Sequence, residues 1–171
     1  MLYVIYDLDR TSLYCPLAMW LDKYHKLKRL IGNNFFYSLY TPVYILELIL
    51  GLFKINKAMY QRAKMINNLG QPVTQIVCTA RHYTPITKLH KDLVFKDQSP
   101  YIDLVCIAAG KTGLVKADIL DEIYEFTEDD QFIIYEDNFF EMNRFKTKFK
   151  DLVTSYLVLF EGQKESTVKC S

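Results

Sequence analysis

At 171 residues the chain is long enough for one domain with a substantial core, and half of its residues are hydrophobic. A net charge of +1 argues against the basic face that holds duplex nucleic acid, but leaves a nucleotide or a nucleic-acid end open as ligand. The four cysteines (Cys15, Cys78, Cys106, Cys170) lack CxxC spacing, so free buried thiols at Cys78 and Cys106 and a cytoplasmic setting without a leader segment are expected.

Leu2–Tyr6 is an apolar, β-branched and aromatic run, the pattern of a buried strand. It stops on Asp7-Leu8-Asp9-Arg10-Thr11. Two carboxylates two residues apart at a strand end are costly to bury unless a cation or a substrate uses them. Residues 12–57 break the strand–helix alternation. Helical spacing over Pro16–Ile31 ends at Gly32-Asn33-Asn34. Phe35–Phe53 approaches membrane-spanning length, but Pro42 and Gly51 interrupt it, and Ser38, Thr41 and Glu47 dilute it. A helical cap over a site is the expected structure of 12–57, with membrane contact through 35–53 as the rival. Its aromatic residues, Trp20, Tyr24, Phe35, Phe36, Tyr37 and Tyr40, are expected in a core rather than stacked on a nucleobase.

An amphipathic helix over Ala58–Leu69 ends at Gly70 and Pro72. A second strand, Val73–Cys78, ends on Thr79-Ala80-Arg81. Thr84-Pro85 then caps a helix expected to bury Ile86, Leu89 and Leu93, with His82, Lys88, His90, Lys91 and Lys96 at its surface. His25 is likewise expected at a helix surface. A third strand, Leu104–Ala109, runs into Gly110-Lys111-Thr112-Gly113, and a helix follows from Lys116 to Tyr124. Phe132–Tyr135 is a fourth strand, ending on Glu136-Asp137-Asn138. The next helix presents Met142, Phe145, Phe149 and Leu152, and Ser155–Phe160 is the last strand. Residues 163–171 are expected to be a frayed polar tail.

The alternation predicts an α/β fold: a Rossmann-like parallel sheet with helices on both faces, carrying a mostly helical insertion after the first strand. The core spans 1–11 and 58–162, with the cap at 12–57. Ligands of such sheets sit beyond the carboxyl ends of the strands. There this sequence places Asp7/Asp9, Thr79/Arg81, Lys111/Lys116 and Glu136/Asp137.

These strand-end groups, in this order, resemble the four motifs of the haloacid dehalogenase superfamily of Mg-dependent phosphotransferases. Asp7-Leu8-Asp9-Arg10-Thr11 is similar to motif I, Thr79 to the motif II hydroxyl, Lys116 to the motif III lysine and Glu136-Asp137 to the acidic pair of motif IV. The insertion falls where that family carries a C1 cap. The resemblance implies a phosphatase in which Asp7 is the nucleophile and forms an aspartyl-phosphate. Asp9 would be the acid and then the base, Thr79 would bond the phosphoryl group and Lys116 would offset its charge. Mg²⁺ would be held by Asp7, Asp9 and Asp137, with Glu136 either beside it or serving a helix N-terminus. Glu141 is a further candidate to approach the metal or to remain solvated. Thr11, Arg10, Arg81 and Lys111 are candidates to bind the substrate phosphate, and Lys111 competes with Lys116 for the stabilising role. Arg10 stands where many members have glycine, and Ser12 where many have leucine.

The expected substrate is a small phosphorylated compound, a nucleotide or a nucleic-acid end, with no stable duplex binding. The alternative is a catalytically weak module that uses 35–53 against a partner or a membrane.

Overall fold

The computed structural model of the chain describes residues 1–24, 38–107 and 116–170. The fold is α/β, with a six-stranded, mostly parallel sheet between two layers of helices. The strands are β1 (Leu2–Tyr6), β4 (Val73–Thr79), β5 (Ile102–Cys106), β6 (Gln131–Glu136), β7 (Val153–Phe160) and β8 (Glu165–Cys170). Their order is β5-β4-β1-β6-β7-β8, and only β8 runs antiparallel to its neighbour. The insertion contains α1 (Pro16–Asp22) and α2 (Tyr40–Leu50). The core helices are α3 (Lys57–Asn67), α4 (Pro85–Phe95), α5 (Lys116–Tyr124) and α6 (Phe139–Phe149).

β1 lies in the centre because it is apolar on both faces, so each side must be covered. Val4 and Tyr6 pack with Met59 and Ala63 of α3, Val94 and Phe95 of α4, and Tyr44 of α2. Tyr3 and Ile5 point the other way, toward Ala117 and Leu120 of α5 and Phe145 of α6. This is the period-2 alternation of a strand, applied to two cores. The Tyr6 hydroxyl donates to Gln75 Oε1 at 2.7 Å, so its polar end is satisfied in the interior.

The insertion is closed at its base by two short strands, β2 (Leu13–Tyr14) and β3 (Lys54–Ile55), paired antiparallel. Two-residue strands have too little periodicity to show in a sequence. Helix α2 begins at Tyr40, so Pro42 lies in its first turn, where a missing N–H costs nothing. Gly51, at φ 61°, ends it in the left-handed conformation that glycine adopts without strain. Glu47, read as a dilution of an apolar run, is buried, and its Oε1 accepts from the backbone N–H of Leu17 at 2.5 Å. It thereby supplies the start of α1 with an acceptor that Cys15, at the N-cap position, does not provide. Ile45, Leu46, Ile49 and Leu50 are left on the outer face of α2. No helix among the described residues is long and apolar enough to cross a membrane.

Several expectations are corrected. Within the expected frayed tail, residues 165–170 instead form a strand, because β8 pairs along β7 from Ser155↔Cys170 to Phe160↔Glu165. Helix α1 stops at Asp22, and residues 25–31 of its expected span, His25 among them, lie outside the described residues, as do Phe35, Phe36 and Tyr37. Trp20 and Tyr24 are exposed and meet each other in a tilted pair, ring centroids 4.6 Å apart, rather than filling a core. The third strand begins two residues earlier than expected and ends at Cys106. Helix α3 stops at Asn67, which leaves Leu69 exposed. Helix α4 buries Val94, Phe95, His90 and Lys91, while Leu89 is exposed. The Lys91 ammonium donates to the carbonyls of Ser99 and Ile102 at 2.8 and 2.7 Å. A buried lysine is tolerated where carbonyls replace water, a condition the sequence does not display.

β8 also ties the fold to the loop that follows Asp9. Glu165 accepts from Asn56 Nδ2 at 2.6 Å and from Arg62 Nη2 at 2.5 Å, and Asn56 Nδ2 also donates to the Thr11 carbonyl at 2.8 Å. Glu165→Ala is therefore expected to lower stability by about 1–3 kcal/mol, since it removes the acceptor of a charged donor. Urea denaturation measures the loss, and an unchanged midpoint would show that the contact contributes nothing.

Candidate active site at the carboxyl ends of the strands

The register brings the expected residues together. Tyr6 pairs with Val77 on one side and Tyr135 on the other, so Asp7 emerges level with the ends of β4 and β6. The chain leaves β1 toward β4 and leaves β6 toward β7, which makes the β1–β6 gap the switch point where such sheets open a crevice.

Asp7 is 5% exposed. Its Oδ1 lies 2.5 Å from the Lys116 ammonium, which also reaches Glu136 Oε2 at 2.6 Å. Helix α5 begins at Lys116, which fixes the root of this side chain, and the backbone N–H of Lys116 donates to Glu141 Oε2 at 3.2 Å. Glu141 therefore serves a helix start. Lys111 lies outside the described residues. Ser12 Oγ donates to the Asp7 carbonyl at 2.6 Å, and the Asp7 N–H donates to the Tyr135 carbonyl at 2.9 Å. The backbone of Asp7 is thus held on both sides.

Carboxylate oxygens of Asp7, Glu136 and Asp137 lie within 4.8 Å of one another. Burial, and then the Glu136 charge, raise Asp7 to about 8 despite Lys116. Burial raises Glu136 to about 7, and burial with the Asp7 charge raises Asp137 to about 7. Lys116 and Arg10, whose Nε is 3.5 Å from Asp137 Oδ2, are the cations set against these three carboxylates. Among the described residues, one negative charge is left uncompensated when all three carboxylates are ionised. The oxygen-only donor set suits a hard ion such as Mg²⁺. Glu136 is less available to it. Its Oε2 meets Lys116, and its Oε1 accepts from the Asn138 N–H at 3.1 Å.

Arg10 adopts φ 58°, the left-handed region where glycine is at ease and other residues are strained. The loop holds it there from both ends: its N–H donates to the Leu13 carbonyl, and its own carbonyl accepts from the Phe160 N–H, each at 2.7 Å. Thr11 and Thr79 are both fully buried. Thr79 Oγ1 accepts from the Arg81 N–H at 3.3 Å, and Thr11 Oγ1 has no hydrogen-bond partner among the described residues.

Asp9 and Arg81 form a bidentate pair, with Nε to Oδ2 at 2.8 Å and Nη2 to Oδ1. Arg81 Nη1 meets His90 Nδ1 at 2.7 Å, and the guanidinium lies 3.7 Å above the Tyr44 ring. His90, expected at the surface, is fully buried, and that burial and Arg81 hold it at about 4. His82 is exposed. Tyr44 carries no signal in the sequence, His90 is expected at the surface, and Ser12 stands out only as a departure from the family pattern. No spacing links Tyr44 or His90 to Arg81, because those contacts cross between the insertion, a loop and α4.

A cleft of about 360 Å³ lies between the insertion and the sheet. Ala18, Met19, Tyr40, Thr41 and Tyr44 line it on one side, and Asp9, Arg10, Arg81 and Asp137 on the other. Its size suits a small ligand, and it reaches the acidic group through Asp9 and Asp137.

The raised carboxyl groups define a pH response. Between about pH 4 and 8 the folded, metal-free chain holds protons that the unfolded chain has released, because Asp7, Glu136 and Asp137 titrate at about 8, 7 and 7. This contribution to stability is complete below the unfolded values and is lost as pH rises through the folded ones. Metal-stripped protein is expected to show a lower Tm at pH 8 than at pH 5.5, with Mg²⁺ restoring it at pH 8 while protons are released. Thermal scans with and without Mg²⁺ check this, and a Tm indifferent to pH and to Mg²⁺ would overturn it. Searches against protein-family models, curated proteins and solved structures match nothing to this chain.

Proposed function

We propose that the protein is a Mg-dependent phosphatase of the haloacid dehalogenase type, acting through Asp7. The observation that carries this reading is a buried Asp7 at the end of the central strand, paired to Lys116 and beside Asp137, which lines the cleft together with Asp9. Asp7 attacks the phosphorus of a bound monoester while the bond to the ester oxygen breaks. Asp9 gives that oxygen its proton, which yields the alcohol and an aspartyl-phosphate. Asp9 then takes a proton from the water that attacks the same phosphorus, and the products are inorganic phosphate and free Asp7. Lys116 offsets the negative charge shared by Asp7 and the phosphoryl group. Asp7 and Asp137, with the Asp9 carbonyl, would hold Mg²⁺, which when bound lowers the repulsion between carboxylate and phosphate. Thr79 is the candidate donor to a phosphoryl oxygen, Arg10 lines the cleft, and Thr11, fully buried behind it, is a candidate for the same phosphate. The cleft, with Tyr40 and Tyr44 on its insertion side, suits a nucleotide or a nucleic-acid end better than a bulky phosphoprotein.

Phosphate release is expected from a panel of nucleotides, phosphorylated oligonucleotides and sugar phosphates in the presence of Mg²⁺, with none in EDTA. A folded protein that binds Mg²⁺ and hydrolyses none of them would overturn the reading. A second reading rests on Ile45, Leu46, Ile49 and Leu50, exposed on the outer face of α2. It makes the insertion a membrane-surface contact, and vesicle flotation that depends on these four side chains would support it.

A further inference from the structure

From its place after β4, Arg81 is a candidate ligand for substrate phosphate. In the fold its donors are already committed. Two of its nitrogens fork the Asp9 carboxylate, and a third meets His90 Nδ1 at 2.7 Å. An arginine only donates, so His90 accepts through Nδ1 and is neutral, with its proton on Nε2. That Nε2 has no hydrogen-bond partner among the described residues, so the ring's polar contact there is to Arg81 through Nδ1. The guanidinium is covered by the Tyr44 ring at 3.7 Å, and Nη2 also approaches Cys15 Sγ at 3.7 Å. Only 4% of the Arg81 side chain is exposed, against 39% for Asp9.

We infer that Arg81 is a positioning residue for Asp9 in the base half of the reaction, and that the insertion sets it through Tyr44. This rests on the phosphatase reading above. An exposed Arg–Asp pair orders little, because both side chains must be held still. Here the arginine is immobilised beforehand from three sides, and its planar fork dictates where both Asp9 oxygens lie. Both oxygens accept in this arrangement, which is the state a base needs. Tyr44 and Cys15 belong to the insertion, whereas Arg81 and His90 belong to the sheet domain. The brace is therefore complete only when α2 is seated on the core, and the seating of the insertion is felt at Asp9.

The step served is hydrolysis of the aspartyl-phosphate. Water oxygen bonds to phosphorus, the Asp7–phosphorus bond breaks, and the water proton passes to Asp9. The preceding step needs Asp9 less when the leaving group is p-nitrophenolate, which departs without a proton.

The test uses p-nitrophenyl phosphate with Mg²⁺ in rapid-mix kinetics on the full chain. Tyr44→Leu and His90→Leu approach the brace from its two sides, so one remains informative if the other fails to fold. Each is expected to release one equivalent of nitrophenolate in a burst. Steady turnover should then run about 10–100-fold below that of the unaltered protein, the scale of a misplaced base. Phosphate should be trapped on Asp7 by acid quench and mass spectrometry. Tyr44→Phe, which keeps the ring, should show a smaller burst than Tyr44→Leu. Slowed turnover with neither burst nor trapped phosphate, or turnover that is not slowed, would overturn the positioning role and leave the phosphatase reading standing. No nitrophenolate release by the unaltered protein would overturn the phosphatase reading and this role with it.

Discussion

Asp7→Asn is expected to abolish phosphate release, with a loss of roughly five to six orders of magnitude, the scale of removing a covalent nucleophile. The variant should nevertheless fold. An amide oxygen can still accept from Lys116, now 2.5 Å from Asp7 Oδ1, and the backbone contacts to Ser12 and Tyr135 do not involve the side chain. The substitution also removes one of three neighbouring carboxylates, so repulsion in the cluster falls. The Tm of the metal-free variant should therefore depend less on pH than that of the unaltered protein, because the group raised to about 8 is gone. Phosphate release and thermal scans at pH 5.5 and 8 check both halves. Retained turnover would sink the nucleophile assignment, whereas an unchanged pH slope would sink the electrostatic account alone.

Lys116→Met is expected to show the largest effect on stability. The ammonium bridges Asp7 at 2.5 Å and Glu136 at 2.6 Å, and all three side chains are buried. Removing one partner of a buried ion pair leaves uncompensated charge, at a cost of about 3–5 kcal/mol. The cost should shrink at acid pH. Without the cation the two carboxyl groups hold their protons to still higher pH than the values of about 8 and 7 they have beside it. Urea denaturation at pH 5.5 and pH 8 is expected to show the variant nearer the unaltered protein at pH 5.5. Turnover should fall by about 10²–10³, as when one stabilising donor is removed from a reacting oxyanion. Combining it with Asp7→Asn should destabilise less than the two effects added, since the second change removes a charge that the first strands. Strict additivity would mean that Lys116 acts through packing of its methylenes.

The site was legible to the extent that it lies at strand ends. Asp7 and Asp137 follow an apolar strand and Thr79 and Glu136 end one, and a parallel sheet with its helices necessarily delivers such residues to one edge. Lys116 was legible as a helix start. The brace on Asp9 was not. Arg81, His90, Tyr44 and Cys15 come from a loop, two helices and the residue before α1, and no periodicity relates them. The burial of His90 and Lys91 was hidden for a similar reason, since what decides it is an acceptor or carbonyl supplied from elsewhere in the chain.

By itself the sequence determined the α/β alternation, the two-faced burial of β1 and the collection of carboxylates, hydroxyl and lysine at one edge. These follow from local periodicity and from chain connectivity, which the order of residues contains. Tertiary structure alone decided that residues 165–170 form an edge strand, that Glu136 serves Lys116, and that Asp9 is held by an arginine under the insertion. Each depends on contacts between residues distant in the chain. Such a contact forms only where packing brings both partners together and the exclusion of water makes an unpaired polar group costly.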